Sequence, residues 1–441
     1  MPKLSVIMPC LNVVNYIKEC MESIINQTLK DIEIIVVDAG STDGTLDILA
    51  EYQKKDNRVI ILHSDVKSYG YQVNMGIDIA KGECVGIVDT DDIVDINAYS
   101  YLYKVLIEND LDYVKGYAKA FWNIKSERLS YWPICNFYIG SEMVNKVICP
   151  CKMPKLIVND HFLWQGIYKK ELLKDIRLNE TPGAAFQDQG FCLQVFMNAT
   201  RAMYVDYCVY YYRQDNVASS TFSTRGFEYT YQEFMLNKHY LKDTDSYWKK
   251  YFYARMLDQC IGRYNNMMFS KDYCYNVEED ILNIRRSLIE AEKEYNISEV
   301  LSGDNIKRLE LLTDGPRVLY DYMKKDFDNK RRQFKEIYER LRGKKIVIVS
   351  SGLWARFFFE LLDDSISVLG FADNNSDLWE SHVDQYIINS LNYFANYDDV
   401  VYVIANKYHY EELIMQLNEI GISNDRILVY KNGIDFSLFK R

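Results

Sequence analysis

The sequence predicts an α/β protein in which a parallel sheet covered by helices comes first, a helical segment follows, and a smaller α/β unit comes last. Over residues 3–92, short apolar runs that stop at turn residues alternate with segments of helical periodicity. Residues 226–342 contain a single proline and keep helical spacing. From residue 343 the alternation of apolar runs and helical segments returns. The predicted parts are therefore 1–225, 226–342 and 343–441.

Four apolar runs predict the strands of the first part, and they occupy residues 4–8, 32–37, 59–62 and 83–88. Pro9 follows the first run and cannot continue a strand ladder, because proline lacks the amide hydrogen. Each helix between the runs has one apolar face, which in the first helix consists of Ile17, Cys20, Met21, Ile24 and Ile25. Such alternation predicts parallel strands, and the ligands of parallel sheets bind beyond the carboxyl ends of the strands.

Acidic residues follow the fourth predicted strand at that edge. Asp89, Asp91 and Asp92 lie within four positions. Carboxylates at such density need a cation or a polar ligand to be tolerated near a buried strand. Mg²⁺ and Mn²⁺ prefer oxygen ligands and bridge to phosphates, so a nucleoside diphosphate with a divalent ion is the expected ligand. The spacing alone is also common in solvated loops, and only its position after a buried strand favours a binding site.

Five blocks of the first part resemble the family 2 glycosyltransferases, which have the GT-A (nucleotide-diphospho-sugar transferase) fold. The blocks are residues 5–12, 27–28, 37–45, 74–83 and 89–92. The resemblance covers residues 3 to about 220 and is to the bacterial surface-polysaccharide type. It implies an inverting hexosyl- or N-acetylhexosaminyl-transferase with a UDP-sugar donor. The implied acceptor is a hydroxyl of a capsule, O-antigen or teichoic-acid type glycan, free or lipid-linked.

The resemblance implies a role for each acid at the strand ends. The backbone near Pro9 and Leu11, together with Asp38, would line the nucleotide pocket, and Asp89 would meet the ribose. Asp91 would bind the Mn²⁺ or Mg²⁺ on the diphosphate. Asp92 would orient the water shell of that metal. The cation would stabilise the negative charge that grows on the leaving nucleoside diphosphate.

A later block, residues 181–191, carries the predicted general base. Many members of the family have Glu-Asp here, and this chain has Gln187 followed by Asp188. Asp188 would take the proton from the acceptor hydroxyl in a single displacement. Because one neighbouring carboxylate is missing, we expect Asp188 to ionise more easily. A helix cap is the alternative role for this residue.

Two further residues have open alternatives. Arg213 lies in the segment that the family closes over the donor, and its guanidinium is predicted to bind the diphosphate. A structural ion pair with Asp206 or Asp215 is the alternative. Trp164 would stack on the acceptor sugar, with packing in the core as its alternative.

Departures from the family pattern leave recognition of the base open. Ala39 stands where an Asp often reads uracil, and Val73 stands where an Arg is common. Asp65 is the predicted substitute contact. Together with Gln187, these departures keep a catalytically impaired sugar-nucleotide-binding or scaffold protein as the alternative function. The retained carboxylates of the acid cluster and of Asp188 favour an enzyme.

The middle segment contains a basic amphipathic helix, whose apolar stripe consists of Met323, Phe327, Phe334, Ile337, Tyr338 and Leu341. Such a helix is more often a connector packed on its neighbours, and the alternative is peripheral contact with an anionic membrane. The C-terminal part resembles the small Rossmann-like domain appended to many polysaccharide-building transferases. Its phosphate turn keeps only Gly352 of three expected glycines, with Asp373 near the position of a ribose-binding acid. We therefore expect assembly, including a homo-oligomer, rather than dinucleotide-dependent oxidoreductase chemistry.

Composition limits the partners and the compartment. The net charge of -11 over 441 residues argues against a nucleic-acid partner. The sequence has no apolar run of transmembrane length, and its first residues read as a strand rather than a signal peptide. Ten cysteines without a repeating spacing are typical of reduced thiols. These features predict a cytoplasmic protein, with the inner face of the cell membrane as the alternative location.

Overall fold

The computed structural model describes residues 1–122, 130–134, 143–213, 216, 223, 225–268, 278–383, 385–406 and 408–430. The chain forms two compact units. The first contains Met1–Trp122 and Tyr131–Pro316, and Arg317 begins the main part of the second. Most of the predicted helical segment therefore belongs to the first unit. The predicted division at residues 225 and 342 itself stays a prediction.

The N-terminal sheet contains β1 (Leu4–Cys10), β2 (Ile32–Asp38), β3 (Val59–His63), β4 (Cys84–Ile87), β5 (Ile93–Val94), β6 (Tyr113–Trp122), β7 (Ser130–Ile134), β8 (Val147–Ile148), β9 (Gly166–Lys169) and β10 (Ala202–Arg213). The helices of the first unit are α1 (Ile17–Ile25), α2 (Thr45–Lys55), α3 (Tyr69–Ile79), α4 (Ala98–Glu108), α5 (Leu156–Asn159), α6 (Asp188–Asn198), α7 (Gly226–Asn237), α8 (Ser246–Met268), α9 (Glu278–Tyr295) and α10 (Gly303–Asp314). All four strands predicted from the apolar runs are present, so the α/β prediction is confirmed.

The first four strands of this sheet are parallel to one another, and β6 and β10 form a second parallel pair. The strand order is β3-β2-β1-β4-β9-β6-β10-β5, with β7 beside β6 and β8 beside β10. Every residue of β1 and β2 is buried, as expected for central strands covered on both faces. Cys10 pairs with Asp38, which in turn pairs with His63, so these strands end at one edge of the sheet. The acid cluster after β4 begins at the same edge.

The helices α7 to α10 pack on one another and on α5 and α6. Helix α7 packs on α6 and α8, and α8 also packs on α5 and α9. Gly190 allows α6 and α7 to approach closely, because a Cβ atom there would lie 2.4 Å from Oε1 of Glu233. The helical segment therefore supplies side chains to the region around the start of α6.

The second unit contains α11 (Pro316–Leu341), α12 (Leu353–Glu360), α13 (Leu391–Ala395) and α14 (Tyr410–Glu419). Its strands are β11 (Lys345–Val349), β12 (Ser367–Ala372), β13 (His382–Val383), β14 (Tyr386–Asn389), β15 (Val400–Ile404) and β16 (Ile427–Val429). They form a sheet in the order β13-β14-β12-β11-β15-β16, and β11 runs parallel to both of its neighbours. A second, smaller α/β sheet was predicted at this position and is confirmed.

The apolar stripe of α11 is covered by protein over its C-terminal half. Phe334, Ile337 and Leu341 belong to a buried cluster with Ile346 and Phe358 of the same unit. This half of the stripe fits the connector interpretation, and the membrane contact considered above stays a prediction. Among the described residues, no helix is long and apolar enough to span a bilayer.

The turn after β11 is held by Asp373. Its Oδ2 accepts hydrogen bonds from the Ser351 amide at 2.8 Å and the Ser351 hydroxyl at 2.6 Å. Ser350 has a φ of 92°, a conformation that glycine adopts without strain. The carboxylate expected near a ribose therefore stabilises a turn in which serine stands for glycine.

Candidate functional site

Asp89 follows β4 directly and is held by two tyrosines. Its Oδ1 accepts a hydrogen bond of 2.8 Å from the hydroxyl of Tyr69, the first residue of α3. Its amide donates to the hydroxyl of Tyr210 on β10 at 3.1 Å. Burial and the charge of Asp91 raise the pKa of the Asp89 carboxyl to about 7. A cation or a hydrogen-bonding ligand would therefore be stabilising beside it.

Asp92 is buried and joins two elements of the first unit. It has no exposed surface, and its Oδ2 and Oδ1 accept hydrogen bonds from the Tyr210 hydroxyl at 2.8 Å and the Arg213 amide at 2.7 Å. A residue that orients the water shell of a metal needs an oxygen that faces the metal site. The carboxylate of Asp92 fastens β10 to the turn after β4, and its assignment to the metal stays a prediction.

Asp91 belongs to the same acid cluster, and part of its surface is exposed. Its Oδ2 accepts a hydrogen bond of 2.7 Å from Asn216. Among the described residues, no group of three or more His, Cys, Asp or Glu side chains is arranged to hold a metal ion. Asp91 and Asp89 nevertheless fit an ion that completes its shell with diphosphate oxygens and water, because Mg²⁺ sites commonly have only one or two carboxylates.

Arg213 makes several structural contacts beside the acid cluster. Its Nε donates to the backbone oxygen of Asp91 at 2.7 Å, and its Nη2 pairs with Glu19 at 2.5 Å. The guanidinium lies 4.5 Å from the ring centre of Phe121 and 4.9 Å from that of Tyr16. With 7% of its surface exposed, Arg213 is committed to these contacts. The structure thus contains an ion pair of Arg213 with Glu19. Asp215 lies outside the described residues, and contact of Arg213 with the diphosphate stays a prediction.

The predicted nucleotide residues lie together at the ends of β1 and β2, but Asp38 faces inward. Its carboxylate is fully buried and accepts hydrogen bonds from the Gly40 and Ser41 amides and from the Ser41 hydroxyl. Asp38 thus orders the turn after β2, and its contact with the nucleotide stays a prediction. The backbone oxygen of Pro9 accepts a hydrogen bond of 3.0 Å from Thr90.

Two of the predicted donor residues keep exposed surface at this edge. Leu11 is 36% exposed. Asp65 is exposed and follows Ser64, whose amide donates to the backbone oxygen of Asp38 at 2.8 Å. Their positions beside the turn of Asp38 are compatible with a nucleotide pocket, and their roles stay predictions.

One cavity brings the acid cluster and the predicted base together. It has a volume of about 240 Å³, and both Asp89 and Asp188 line it. The other lining residues include Tyr69, His161, Phe162, Trp164, Phe186 and Tyr212. Asp188 opens α6, and its Oδ1 accepts the amide of Gln189 at 3.0 Å. The two carboxylates that the sequence separates by almost a hundred positions therefore face the same space.

The ionisation of Asp188 is opposite to the one expected from the sequence. Burial raises the pKa of this carboxyl to about 7, although the positive charge of Arg255 opposes the shift. The charge of Glu233 on α7 adds to the effect of burial. Burial, with a smaller contribution from Glu233, thus outweighs the missing carboxylate at position 187, so the expected easier ionisation is wrong.

The chain before Asp188 is strained. Phe186 has a φ of 69°, which is unusual for a bulky residue and costs on the order of 1–3 kcal/mol. The guanidinium of Arg263 lies 4.2 Å from the centre of its ring, a cation–π contact that helps to hold this conformation. Phe186 and Arg263 both line the cavity.

Trp164 is packed in the core and also lines the cavity. It is 7% exposed, and its ring stacks on Tyr210 with centroids 4.3 Å apart and on Tyr212 with centroids 5.1 Å apart. Most of the indole is therefore packed in the core. It still lines the cavity, so contact with an acceptor sugar stays a prediction.

Sequence reasoning missed the residues that support the acids. Tyr69, Tyr210, Glu233 and Arg255 lie outside the blocks that resemble the family. The bonds of Tyr210 to Asp89 and Asp92 join positions more than a hundred residues apart. Only Tyr69 had a local signal, because it follows Ser68, a helix N-cap residue type, where α3 begins.

Family models and related proteins match parts of this chain. The family model for glycosyl transferase family 2 matches residues 5–154, and the model named C2185-like, N-terminal, matches residues 342–428. Glycosyltransferase GlyG of Streptococcus pneumoniae is 33% identical over 225 residues, which are 48% of this chain and 70% of GlyG. The uncharacterized glycosyltransferase EpsJ of Bacillus subtilis is 31% identical over 221 residues, which are 48% of this chain and 62% of EpsJ.

A solved structure shows the same fold. The crystal structure of S. aureus TarS in complex with UDP-GlcNAc matches with a TM-score of 0.57 at 22% identity. The match covers 75% of this chain and 92% of the TarS chain. The GT-A arrangement predicted from the sequence blocks is thus confirmed at the level of the fold.

Proposed function

Because the chain belongs to glycosyl transferase family 2, we propose that it transfers a sugar from a UDP-linked donor to a hydroxyl of a surface glycan, in one inverting displacement. The observation that supports this proposal best is the shared cavity of Asp89 and Asp188. A donor bound at the acid cluster would present the anomeric carbon of its sugar to this cavity. An acceptor hydroxyl beside Asp188 would then attack from the opposite side.

On the donor side, Asp89 would bind the ribose and Asp91 the metal ion. Mn²⁺ or Mg²⁺, when bound, would neutralise the charge that develops on the departing diphosphate. The chain's own contribution is rigidity: Arg213 fixes the backbone oxygen of Asp91, and Tyr69 and Tyr210 fix Asp89. Donor groups held in place before the reaction need no rearrangement as the bond breaks.

On the acceptor side, Asp188 would act as the general base. The proton of the acceptor hydroxyl passes to the carboxylate, while the acceptor oxygen forms its bond to the anomeric carbon and the bond to the diphosphate breaks. A pKa of about 7 suits this role, because a base is most effective when its pKa lies near the working pH. No covalent nucleophile is needed.

The donor and acceptor classes are supported by similarity and by the lining of the cavity. The TarS complex contains UDP-GlcNAc, so UDP-GlcNAc is the first donor to test. Aromatic rings of Phe162, Trp164 and Tyr212 line the cavity and offer faces on which sugar rings pack well. A glycan acceptor of the capsule, O-antigen or teichoic-acid type fits this surface.

A donor panel tests the proposal. UDP release is measured with UDP-GlcNAc, UDP-glucose, UDP-galactose and GDP-mannose, each with and without Mn²⁺. Water serves as the default acceptor, and glycan fractions are then added. We expect Mn²⁺-dependent release from one UDP-sugar that Asp188→Asn lowers at least 100-fold, since general base catalysis contributes about 10²–10⁴-fold. Tight binding of a UDP-sugar without turnover in any condition would instead favour the scaffold alternative.

A further inference from the structure

A second, smaller cavity lies behind the wall of the first. It has a volume of about 20 Å³ and is lined by residues of α6, α7 and α8 and of the chain after α5. His161 and Gln189 line both cavities. A space of this size suits one water molecule, which needs about 10–15 Å³ and two to four polar partners.

Two buried polar atoms at this smaller cavity have no hydrogen-bond partner in the described part of the chain. They are Nη2 of Arg255 and Nδ1 of His161. Arg255 is 4% exposed, and burying an unpaired guanidinium nitrogen is unfavourable. Burial lowers the pKa of His161 well below its usual value, so the ring is neutral and its Nδ1 is able to accept a hydrogen bond. One water molecule would accept from Arg255 and donate to His161.

The other nitrogens of Arg255 connect the smaller cavity to the catalytic side. Nε donates to the side-chain Oε1 of Gln189 at 3.1 Å. The backbone amide of Gln189 in turn donates to Oδ1 of Asp188 at 3.0 Å. Nη1 donates to the backbone oxygen of Val158 in α5 at 3.3 Å. A single guanidinium thus contacts the first turn of α6 and the segment that leads to His161.

We propose that Arg255 is the positioning residue of the general base, holding Gln189 directly and His161 through one buried water molecule. This inference rests on the proposed function, because it takes Asp188 as the base. The rigid guanidinium of Arg255 keeps the Asp188 carboxylate and the segment with His161 in a fixed arrangement. A misplacement of about 1 Å in such a site lowers turnover strongly.

Charged groups from several elements face Asp188. Arg255 and Arg263 on α8 favour its ionised form, whereas Glu233 on α7 opposes it. Asp89, beyond β4, interacts unfavourably with the ionised Asp188. Arg255 has the largest effect among the charged groups, so its removal is expected to make Asp188 harder to ionise.

The test compares Arg255→Met and Arg255→Lys with the unchanged protein by carbon-13 NMR titration of the aspartate carboxyls. The signal of Asp188 is identified by its loss in Asp188→Asn. We expect Arg255→Met to raise the titration midpoint of Asp188 by about one pH unit, and Arg255→Lys, which keeps the charge, to leave it close to its original value. The kcat of UDP release from UDP-GlcNAc falls about tenfold in both, because neither side chain reproduces the fork, while the donor KM is unchanged.

Arg285→Met is the matched control. Its guanidinium, on α9, donates to the backbone oxygens of Leu312 at 3.0 Å and Thr313 at 2.7 Å and lines neither cavity. This variant should leave the midpoint and kcat unchanged. A folded Arg255→Met protein with the original midpoint and kcat overturns the inference. If Arg255→Met does not fold, Gln189→Met breaks the same link with the charge retained, and an unchanged kcat there overturns it equally.

Failure of the proposed function gives a different result. Full turnover in Asp188→Asn, or the absence of UDP release from any donor, removes the catalytic role of Asp188. The NMR titration does not depend on turnover, so it still reports whether Arg255 controls this carboxyl.

Discussion

The hydroxyl of Tyr210 donates a hydrogen bond of 2.8 Å to Oδ2 of Asp92, a carboxylate with no exposed surface. The same hydroxyl accepts the amide of Asp89 at 3.1 Å. Burial and the charges of Asp91 and Asp89 raise the pKa of Asp92 well above its usual value. One tyrosine on β10 therefore stabilises the buried acid and positions the backbone of the acid that faces the cavity.

Tyr210→Phe should destabilise the protein by about 1–3 kcal/mol, because it leaves the buried oxygen of Asp92 and the Asp89 amide without this partner. The free energy of unfolding is measured by urea titration. Tyr207→Phe is the matched control, since the Tyr207 hydroxyl donates to Asp95 at 2.8 Å at a partly exposed position of the same strand. The control should lose about 0.5–1 kcal/mol. Equal losses in the two variants would contradict the role given to Tyr210.

Asp188→Asn should stabilise the protein at pH 8 while it abolishes transfer. The folded-state pKa of Asp188 is about 7, above its ordinary value of 3.8. Between these values the unfolded chain releases the proton while the folded protein keeps it, so stability present at low pH is lost as the pH rises towards 7. Each pKa unit corresponds to about 1.4 kcal/mol, and the Asn variant does not incur this loss.

Thermal unfolding from pH 3.5 to 8 checks this prediction. The melting temperatures of the two proteins should be similar at pH 3.5 and diverge as the pH rises, with the variant more stable at pH 8. Parallel curves at all pH values would show that the pKa of Asp188 does not change on folding.

The sequence predicted the strands well because their signal is local. Apolar runs before Pro9, Asp38 and Asp89 are read from neighbouring residues, and the structure has strands at those positions. The expected end at Pro9 was wrong, because β1 continues through Pro9 to Cys10. The roles of the acids depend on partners far along the chain and were predicted less well. The carboxylate of Asp92 accepts a hydrogen bond from the backbone amide of Arg213, 121 positions away. Arg213 in turn pairs with Glu19 across 194 positions.

The same limit applies to the base. Local sequence shows Gln187 beside Asp188 and predicts easy ionisation, but burial and Glu233 decide the pKa. Glu233 reaches the first turn of α6 because Gly190 lacks a side chain, and that approach exists only in the folded protein. Sequence blocks thus indicated Asp188 as the proposed base, while its environment required the tertiary structure.

Asp91→Asn and Asp92→Asn should separate a metal residue from a structural one. Asp91→Asn is expected to remove the gain in UDP affinity that Mn²⁺ provides, because an amide oxygen carries no net charge for the ion. Asp92→Asn should keep that gain, since Asp92 is buried and bonded to Tyr210 and the Arg213 amide. Isothermal titration calorimetry with UDP, with and without Mn²⁺, measures the difference. Loss of the Mn²⁺ effect in Asp92→Asn would restore the assignment made from the sequence.

Lys115→Met should be among the most destabilising single changes in the first unit. Lys115 is fully buried, and its Nζ lies 2.7 Å from Oδ2 of Asp160 and 2.9 Å from the backbone oxygen of Phe162. Removing one partner of a buried ion pair leaves an unpaired charge and costs about 3–5 kcal/mol. Urea unfolding measures the loss.

The double variant Lys115→Met with Asp160→Leu decides whether the pair serves stability or geometry. Apolar pairs of similar volume often replace buried ion pairs without loss, so we expect most of the stability to return. Turnover should not return with it, because Asp160 also accepts the amide of Phe162 at 3.1 Å and so shapes the segment that carries His161 and Trp164 into the cavity. Recovery of both stability and UDP release would show that this segment keeps its position without the ion pair.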